Sequence, residues 1–508
     1  MTDTPLTRAL AEWSVLLAAE RVTWVPEALA HAGRTTLPAA PLPAAILRPA
    51  ARAQVPDIVR IAARHRVPLH PISSGRNWGW GDSCPATDGQ VLLDLGSLDH
   101  ITVDEELGCA VVEPGVTQGA LARHLVASGS AWRLDCAGAG PLVSLVGNAL
   151  ERGLTFGAWG ERFEAVCGLE AVLADGARVR TGFGAYGASR TALASRAGVG
   201  PALHGLFSQS SFGVVTELSL WLSPRPEHEE VFWLSCGDEA LPELVDRLRP
   251  LRIRGVLPTN VHLFQLPATS ESPALWCSNG AIFGGREAVT AHVRELEAAV
   301  TGVARCALSS RTPPGPGLRD HLAIPDVPAL DALMAGTEAL VRGEPFELPP
   351  GALLALLGGP EIQRPQRPPS CDPRDSGYGL VFSWQACPAV GAEIRRLVDL
   401  TRSCLLAHGC PPLFTAQYAS GRAITLVTRI VFDREEPARR AAALACQRAL
   451  HDGALAAGFP PARLGLAGHE ALATAGAPFW DLVGRLRGAL DPDGILAPGR
   501  HDPTRGQR

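Results

Sequence analysis

The chain has 508 residues, a formal net charge of −5, 46% hydrophobic and 19% charged residues. That length exceeds one ordinary core and fits two domains, and the slightly acidic balance excludes the basic footprint of a nucleic-acid-binding protein. Every basic side chain other than histidine is arginine, which removes lysine as catalytic base or Schiff-base former. The 12 cysteines contain no C-x-x-C pair, which argues against a zinc knuckle or thioredoxin-like site, so no metal is expected. They read as small buried hydrophobes of a reducing compartment. The N-terminus shows neither a basic region nor an apolar core, and no apolar run is long enough to span a bilayer. A cytoplasmic chain without a signal peptide or membrane contact is the expectation.

In chain order, Thr4-Pro5 predicts a capped helix through Trp13. The Pro/Ala-rich stretch 34–50 reads as surface, and Val55–His65 has helical spacing. Two apolar runs, Arg66–His70 and Val91–Leu95, read as strands around the loop Pro71–Gly81, in a small α/β subdomain. Strand 108–113, the turn Pro114-Gly115 and a helix at 118–128 follow, then a second glycine-bearing loop at 138–147. Leu169–Leu173, Asp175-Gly176 and Ala177–Thr181 spell a hairpin, and 213–222 alternates as a strand. Ser223-Pro224-Arg225-Pro226 marks a boundary. Beyond it, helices at 239–249, 286–302 and 390–408 alternate with strands at 229–235, 277–283, 379–384 and 424–432, the pattern of an α+β domain with an antiparallel sheet. Residues 309–318 and 362–376 read as long loops, and a helix covers 437–457.

The loop Pro71–Gly81 is the stretch around which the chain is organised. Glycines at 75, 79 and 81 permit positive φ, and Ser73, Ser74 and Asn77 stand beside a run of backbone N–H groups. Such an array can hold a diphosphate without lysine, with Arg76 supplying charge; the loop alone reads equally well as a glycine-rich turn.

Five further motifs follow in order: Val111–Thr117, Gly147–Gly153, Cys167–Gly176, Leu206–Thr216 and Asp491–Arg500. Together with the first loop they resemble the vanillyl-alcohol oxidase / p-cresol methylhydroxylase flavoprotein family, across nearly the whole chain and nearest its 4-phenol oxidase branch. The resemblance implies a two-subdomain FAD-binding domain at 1–225, an inserted cap domain at 226–459 with an antiparallel sheet flanked by helices, and a segment at 460–508 that returns to the first domain. It implies FAD held by Ile72, Ser73, Ser74, Gly75, Arg76, Asn77, Trp78 and Trp80 of the first loop. From the middle motifs it adds Cys136, Gly138, Ser144, Gly147, Asn148, Gly153, Phe156, Gly157, Glu161, Gly213 and Val215, with Tyr378 from the cap.

The resemblance places Arg500 at the flavin N1/C2=O edge, where a cation stabilises developing negative charge. It also carries over Arg463, which in the phenol oxidases belongs to a phenolate clamp with two tyrosines. Those tyrosine positions hold Ala462 and Trp80 here, and a third aromatic partner is Phe156. The family aspartate beside flavin N5 aligns with Gly138, leaving Asp135 as the nearby carboxylate, and Ala137 opens the gate position. The histidine that tethers FAD becomes Gly379, with Tyr378 and Cys136 as alternative tethers and non-covalent FAD the favoured reading. His204, His262, His408 and His469 are candidate bases with no partner visible in sequence.

The catalytic candidates are therefore Arg463, Arg500, Asp135 and Trp80, and the pocket walls Trp80, Phe156, Trp159, Trp384 and Arg463. The expected activity is hydride transfer from a benzylic, allylic or alcohol carbon of an aromatic or specialised-metabolite substrate to flavin N5, with dioxygen as acceptor. The alternative is a non-redox FAD-binding scaffold or cyclase that has lost the phenol-oxidase residues. The partner is a small molecule, and a homodimer is left open.

Overall fold

The computed structural model describes residues 3–187, 189–266, 274–326, 330–347, 372–468 and 477–501. Thr4 caps the first helix, Pro5–Leu17, by accepting from the Thr7 N–H at 3.1 Å. The first sheet contains β1 (Val22–Thr23), β2 (Ala45–Leu47), β3 (Leu69–Ile72) and β4 (Val91–Asp94) in the order β1-β2-β4-β3, with β2 and β3 parallel to β4. The helix Val55–His65 buries Ile58, Val59 and Ala62 and feeds β3. The stretch expected on the surface at 34–50 contains β2, whose three residues are buried. A short parallel strand covered on both faces shows no alternation, so its proline-rich flanks dominated the pattern.

The chain continues through β5 (Ile101–Asp104), β6 (Cys109–Val112), β7 (Trp132–Arg133), β8 (Val166–Val172), β9 (Arg178–Arg180), β10 (Val214–Trp221) and β11 (Ser223–Pro224). Five of these form an antiparallel sheet, β5-β6-β10-β8-β9, while β7 pairs with β11. The expected hairpin is β8 and β9, turned at Gly176 with φ 79°.

The cap is one antiparallel eight-stranded sheet. Its strands are β12 (His228–Gly237), β13 (His262–Leu266), β14 (Leu275–Gly284), β15 (Arg305–Leu308), β16 (Tyr378–Pro388), β17 (Phe414–Tyr418), β18 (Ala423–Asp433) and β19 (Pro461–Arg463), in the order β15-β12-β14-β13-β17-β18-β16-β19. Helices Leu241–Ile253, Arg286–Val300, Gly391–Ala407 and Pro437–Ala456 bury their apolar stripes on one face. The other face looks toward the first domain. Strands β13, β15 and β17 and the helices Leu330–Val341 and Ala477–Leu490 had no clear sequence signal. The helix Pro316–Leu322 begins inside the loop expected at 309–318. Of the loop expected at 362–376, residues 362–371 lie outside the described residues.

After β19 the chain returns to the first sheet. Leu69 N donates to Ile495 O and Ala497 N to Leu69 O, each at 2.7 Å, so Leu496 extends the β3 edge. No disulfide joins the described cysteines. Cys404, His408 and Cys446 bring their polar atoms within 4.8 Å of one another on the helix side of the cap, a grouping made by two helices that no spacing rule reveals.

Candidate active site

A cavity of about 570 Å³ lies between the first domain and the cap sheet, with the helix Leu330–Val341, which packs on the same face of that sheet, along one side. Ile72 through Trp78, with Trp80, forms one wall. Gly75 and Gly79 have φ of 62° and 74°, which side chains rarely adopt. A Cβ on Gly79 would lie 2.3 Å from the Phe382 ring, so glycine alone lets this loop touch the cap.

Gly138, Ser144, Gly147, Asn148 and Gly153 line the facing wall. Ser144 Oγ accepts from the Gly147 N–H at 3.1 Å and donates to Pro114 O at 2.7 Å, while Ser144 N donates to Ser74 Oγ at 3.3 Å. Ser144 thus caps the helix Leu145–Leu150, which begins inside the loop expected at 138–147, and a Cβ on Gly147 of that helix would lie 2.7 Å from Ser73 Oγ. The first loop and the start of this helix therefore close on each other, leaving a cradle of the kind that suits a diphosphate. Phe156, Gly213 and Val215 continue the lining.

Arg500 and Arg463 line the same cavity and meet at a residue the sequence did not single out. Glu151 pairs with Arg500, lies 3.4 Å from Arg463 and 3.9 Å from His501. Burial pushes the Glu151 carboxyl up, yet the two arginines hold it well below the usual carboxylate range. The positive charge expected of Arg500 is thus shared with a buried carboxylate. Glu151 stood inside the motif Gly147–Gly153, but its partners lie more than 300 residues away in sequence, and no local pattern announces them.

Arg463 also donates to Asn77 Oδ1 at 2.6 Å, and its guanidinium lies 4.6 Å from the Trp80 ring centre. Burial lowers it to about 10, and its Nε is buried without a partner. Trp80 stacks on Phe382 at 5.1 Å and leans on Trp384 at 5.7 Å. This is an aromatic chamber with the Arg463 cation on its wall.

Gly138, where the resemblance sets the family aspartate, has little spare room: a Cβ there would come within 3.2 Å of Phe156, whose ring stacks on His262 at 3.7 Å and 1°. Burial drives His262 down to about 3, so it is neutral near pH 7 and a weak base. His204 stacks on Phe163 away from the cavity, His408 sits behind the cap sheet, and His469 lies outside the described residues.

Six candidates fall outside the lining. Asp135 accepts from Ser223 Oγ at 2.7 Å and from Trp159 N at 2.9 Å, so it pins a loop. Gly157 is small because a Cβ there would lie 2.1 Å from that carboxylate. Cys136 is fully buried, and burial pushes its thiol up to about 12, far from a reactive thiolate. Trp159 stacks on Trp221, Glu161 lies 4.0 Å from Arg152, and Tyr378 begins β16 outside the cavity wall. Gly379, where the resemblance sets the tethering histidine, is crowded: a Cβ there would lie 2.0 Å from the Phe432 ring.

Comparison with known proteins finds relatives by sequence and by fold. A family model described as an FAD binding domain matches residues 43–182. The chain is 33% identical to 1'-carboxy-chondrochloren decarboxylase of Chondromyces crocatus over 99% of this chain and 98% of the relative. It is 34% identical to the 4-cresol dehydrogenase [hydroxylating] flavoprotein subunit of Pseudomonas putida, over 51% of each chain. Among solved structures, substrate-bound p-cresol methylhydroxylase superposes with a TM-score of 0.86 at 25% identity, covering 98% of this chain and 96% of the other. The 4-ethylphenol oxidase of Gulosibacter chungangensis shares the fold, with a TM-score of 0.87 at 24% identity and coverage of 99% and 98%.

Proposed function

Because the chain belongs to the p-cresol methylhydroxylase-type family of FAD-dependent oxidoreductases, we propose that it removes a hydride from a benzylic or allylic carbon of an aromatic substrate, with dioxygen as the final acceptor. The observation that carries this reading is the single cavity that joins the glycine cradle to the chamber of Trp80, Phe382 and Trp384. Bound FAD would supply a hydride acceptor at N5, and dioxygen would take the electron pair back as hydrogen peroxide.

The backbone of Ser73–Arg76 and the segment Gly138–Gly147 would hold the diphosphate of FAD, beside the hydroxyls of Ser73 and Ser74. Trp80 and Trp384 offer flat surfaces to an aromatic ring and exclude water from it. Arg463 presents its guanidinium at this wall to a polar ring substituent. Trp80, Ala462 and Phe156 bring no hydroxyl, so Arg463 takes over the assistance to a phenol. Glu151 offsets part of the positive charge of Arg463 and Arg500 and fixes both guanidinium groups.

The full-length decarboxylase relative favours a second outcome for a substrate with a carboxylate on the neighbouring carbon. Once the benzylic hydride has left, the bond to the carboxylate breaks, its electron pair becomes the new carbon–carbon double bond, and carbon dioxide departs.

Anaerobic titration of the FAD-loaded protein with para-alkylphenols and para-hydroxyphenylpropanoate tests the proposal. Loss of the visible flavin band, restored by air with release of peroxide, is expected. A flavin that no aryl substrate bleaches would favour the non-redox reading.

A further inference from the structure

Arg429 projects from β18 into the cavity wall. Its guanidinium donates to Thr415 Oγ1 at 2.6 Å, and no carboxylate among the described residues pairs with it. The acids that share the cavity are otherwise placed. Glu151 serves Arg500 and Arg463, Asp82 accepts from Thr35 and Thr36, and the exposed Glu347 makes no ion pair with Arg429. Arg429 is half-buried, and burial lowers it to about 10. A cation in a cavity wall with one hydroxyl partner and no carboxylate is incomplete.

Arg429 pairs across the sheet with Phe382, the ring that stacks on Trp80, and Val427 pairs with Trp384, which in turn pairs with Arg463. Arg429 and Arg463 thus stand two strands apart and two residues along, roughly 12 Å at the backbone, with the aromatic wall between them.

We propose that Arg429 is the seat of a substrate carboxylate, so that the ligand is an aryl acid whose ring lies on the Trp80–Phe382–Trp384 wall. Thr415 holds the guanidinium in place for a charge-assisted, two-point contact. The assignment rests on the reading above for the position of the aromatic ring, and it adds the ionic end of the substrate.

The test is calorimetric binding of para-hydroxyphenylpropanoate and of its methyl ester to the FAD-loaded protein, to Arg429→Gln and to Arg429→Lys. The wild type is expected to prefer the acid by ~10-fold or more. Arg429→Gln should abolish that preference without loss of FAD, and Arg429→Lys should keep part of it. Equal affinity of acid and ester in the wild type, or an undiminished preference in Arg429→Gln, would overturn the proposal. Loss of FAD from a folded Arg429→Gln protein would overturn it too, by assigning the guanidinium to the cofactor. Should Arg429→Gln fail to fold, Thr415→Val keeps the charge but not its orientation, and must weaken the preference for the proposal to stand. Failure of the oxidase reading looks different: an acid preference that depends on Arg429, with a flavin that the substrate never reduces.

Discussion

The guanidinium of Arg463 lies 3.4 Å from the carboxylate of Glu151, a contact that ties β19 of the cap to the C-terminal end of the helix Leu145–Leu150 in the first domain. Glu151 also pairs with Arg500, so one buried carboxylate positions both arginines of the site. Glu151→Gln leaves two cations facing each other and should cost roughly 3 kcal/mol of stability, the lower end of the range for breaking a buried ion pair. Denaturant melts check this. A variant as stable as the wild type would show that solvent in the cavity screens the cluster.

Gly147→Val should lose FAD and keep the fold. The added Cβ would sit 2.7 Å from Ser73 Oγ, inside the cradle between the first loop and the helix Leu145–Leu150. A fall of at least ~10-fold in FAD affinity is expected, about 1.4 kcal/mol. Flavin fluorescence on rebinding FAD to the stripped protein reads it, with circular dichroism as the check on folding.

FAD should leave the protein on acid denaturation. Gly379 has no space for a tethering histidine beside Phe432, and the Cys136 thiol is held protonated. Gly379→His alone should misfold the β16–β18 region rather than create a covalent flavin. Mass spectrometry of the denatured chain measures this directly, and an added FAD mass on the wild-type polypeptide would refute it.

Stability should depend on pH through His70 and His262, both lowered by burial to about 3 from 6.5. The unfolded chain takes up protons below about pH 6.5 while the folded histidines do not, so their contribution is present above that pH and is lost as pH falls toward 3. Asp82 and Glu161, raised to about 6, oppose the trend. Comparing His262→Gln with the wild type removes that background. The variant should lose less stability between pH 7 and pH 5, and parallel melting curves would contradict the assignment.

Much of the site was legible because it is made of backbone. Gly79 and Gly147 are required where the first loop comes within a methyl group of the cap or of the helix Leu145–Leu150, and such glycines stand out in sequence. The carboxylate that organises the arginines was not legible, since Glu151 meets Arg463 and Arg500 only after the chain has folded back. Asp135 was misleading for the converse reason. A lone acid near an expected catalytic position reads as chemistry, yet here it anchors Ser223 and Trp159. In the fold, β2 and β13 escaped because short strands buried on both faces carry no alternation.

A crystal structure of the FAD-loaded protein tests the central claim most directly. The diphosphate is expected within hydrogen-bond reach of the backbone at Ser73–Arg76, with the ring system between Arg500 and the chamber of Trp80 and Trp384. A flavin ring lying outside that chamber, or a diphosphate held away from the glycine loops, would contradict the account.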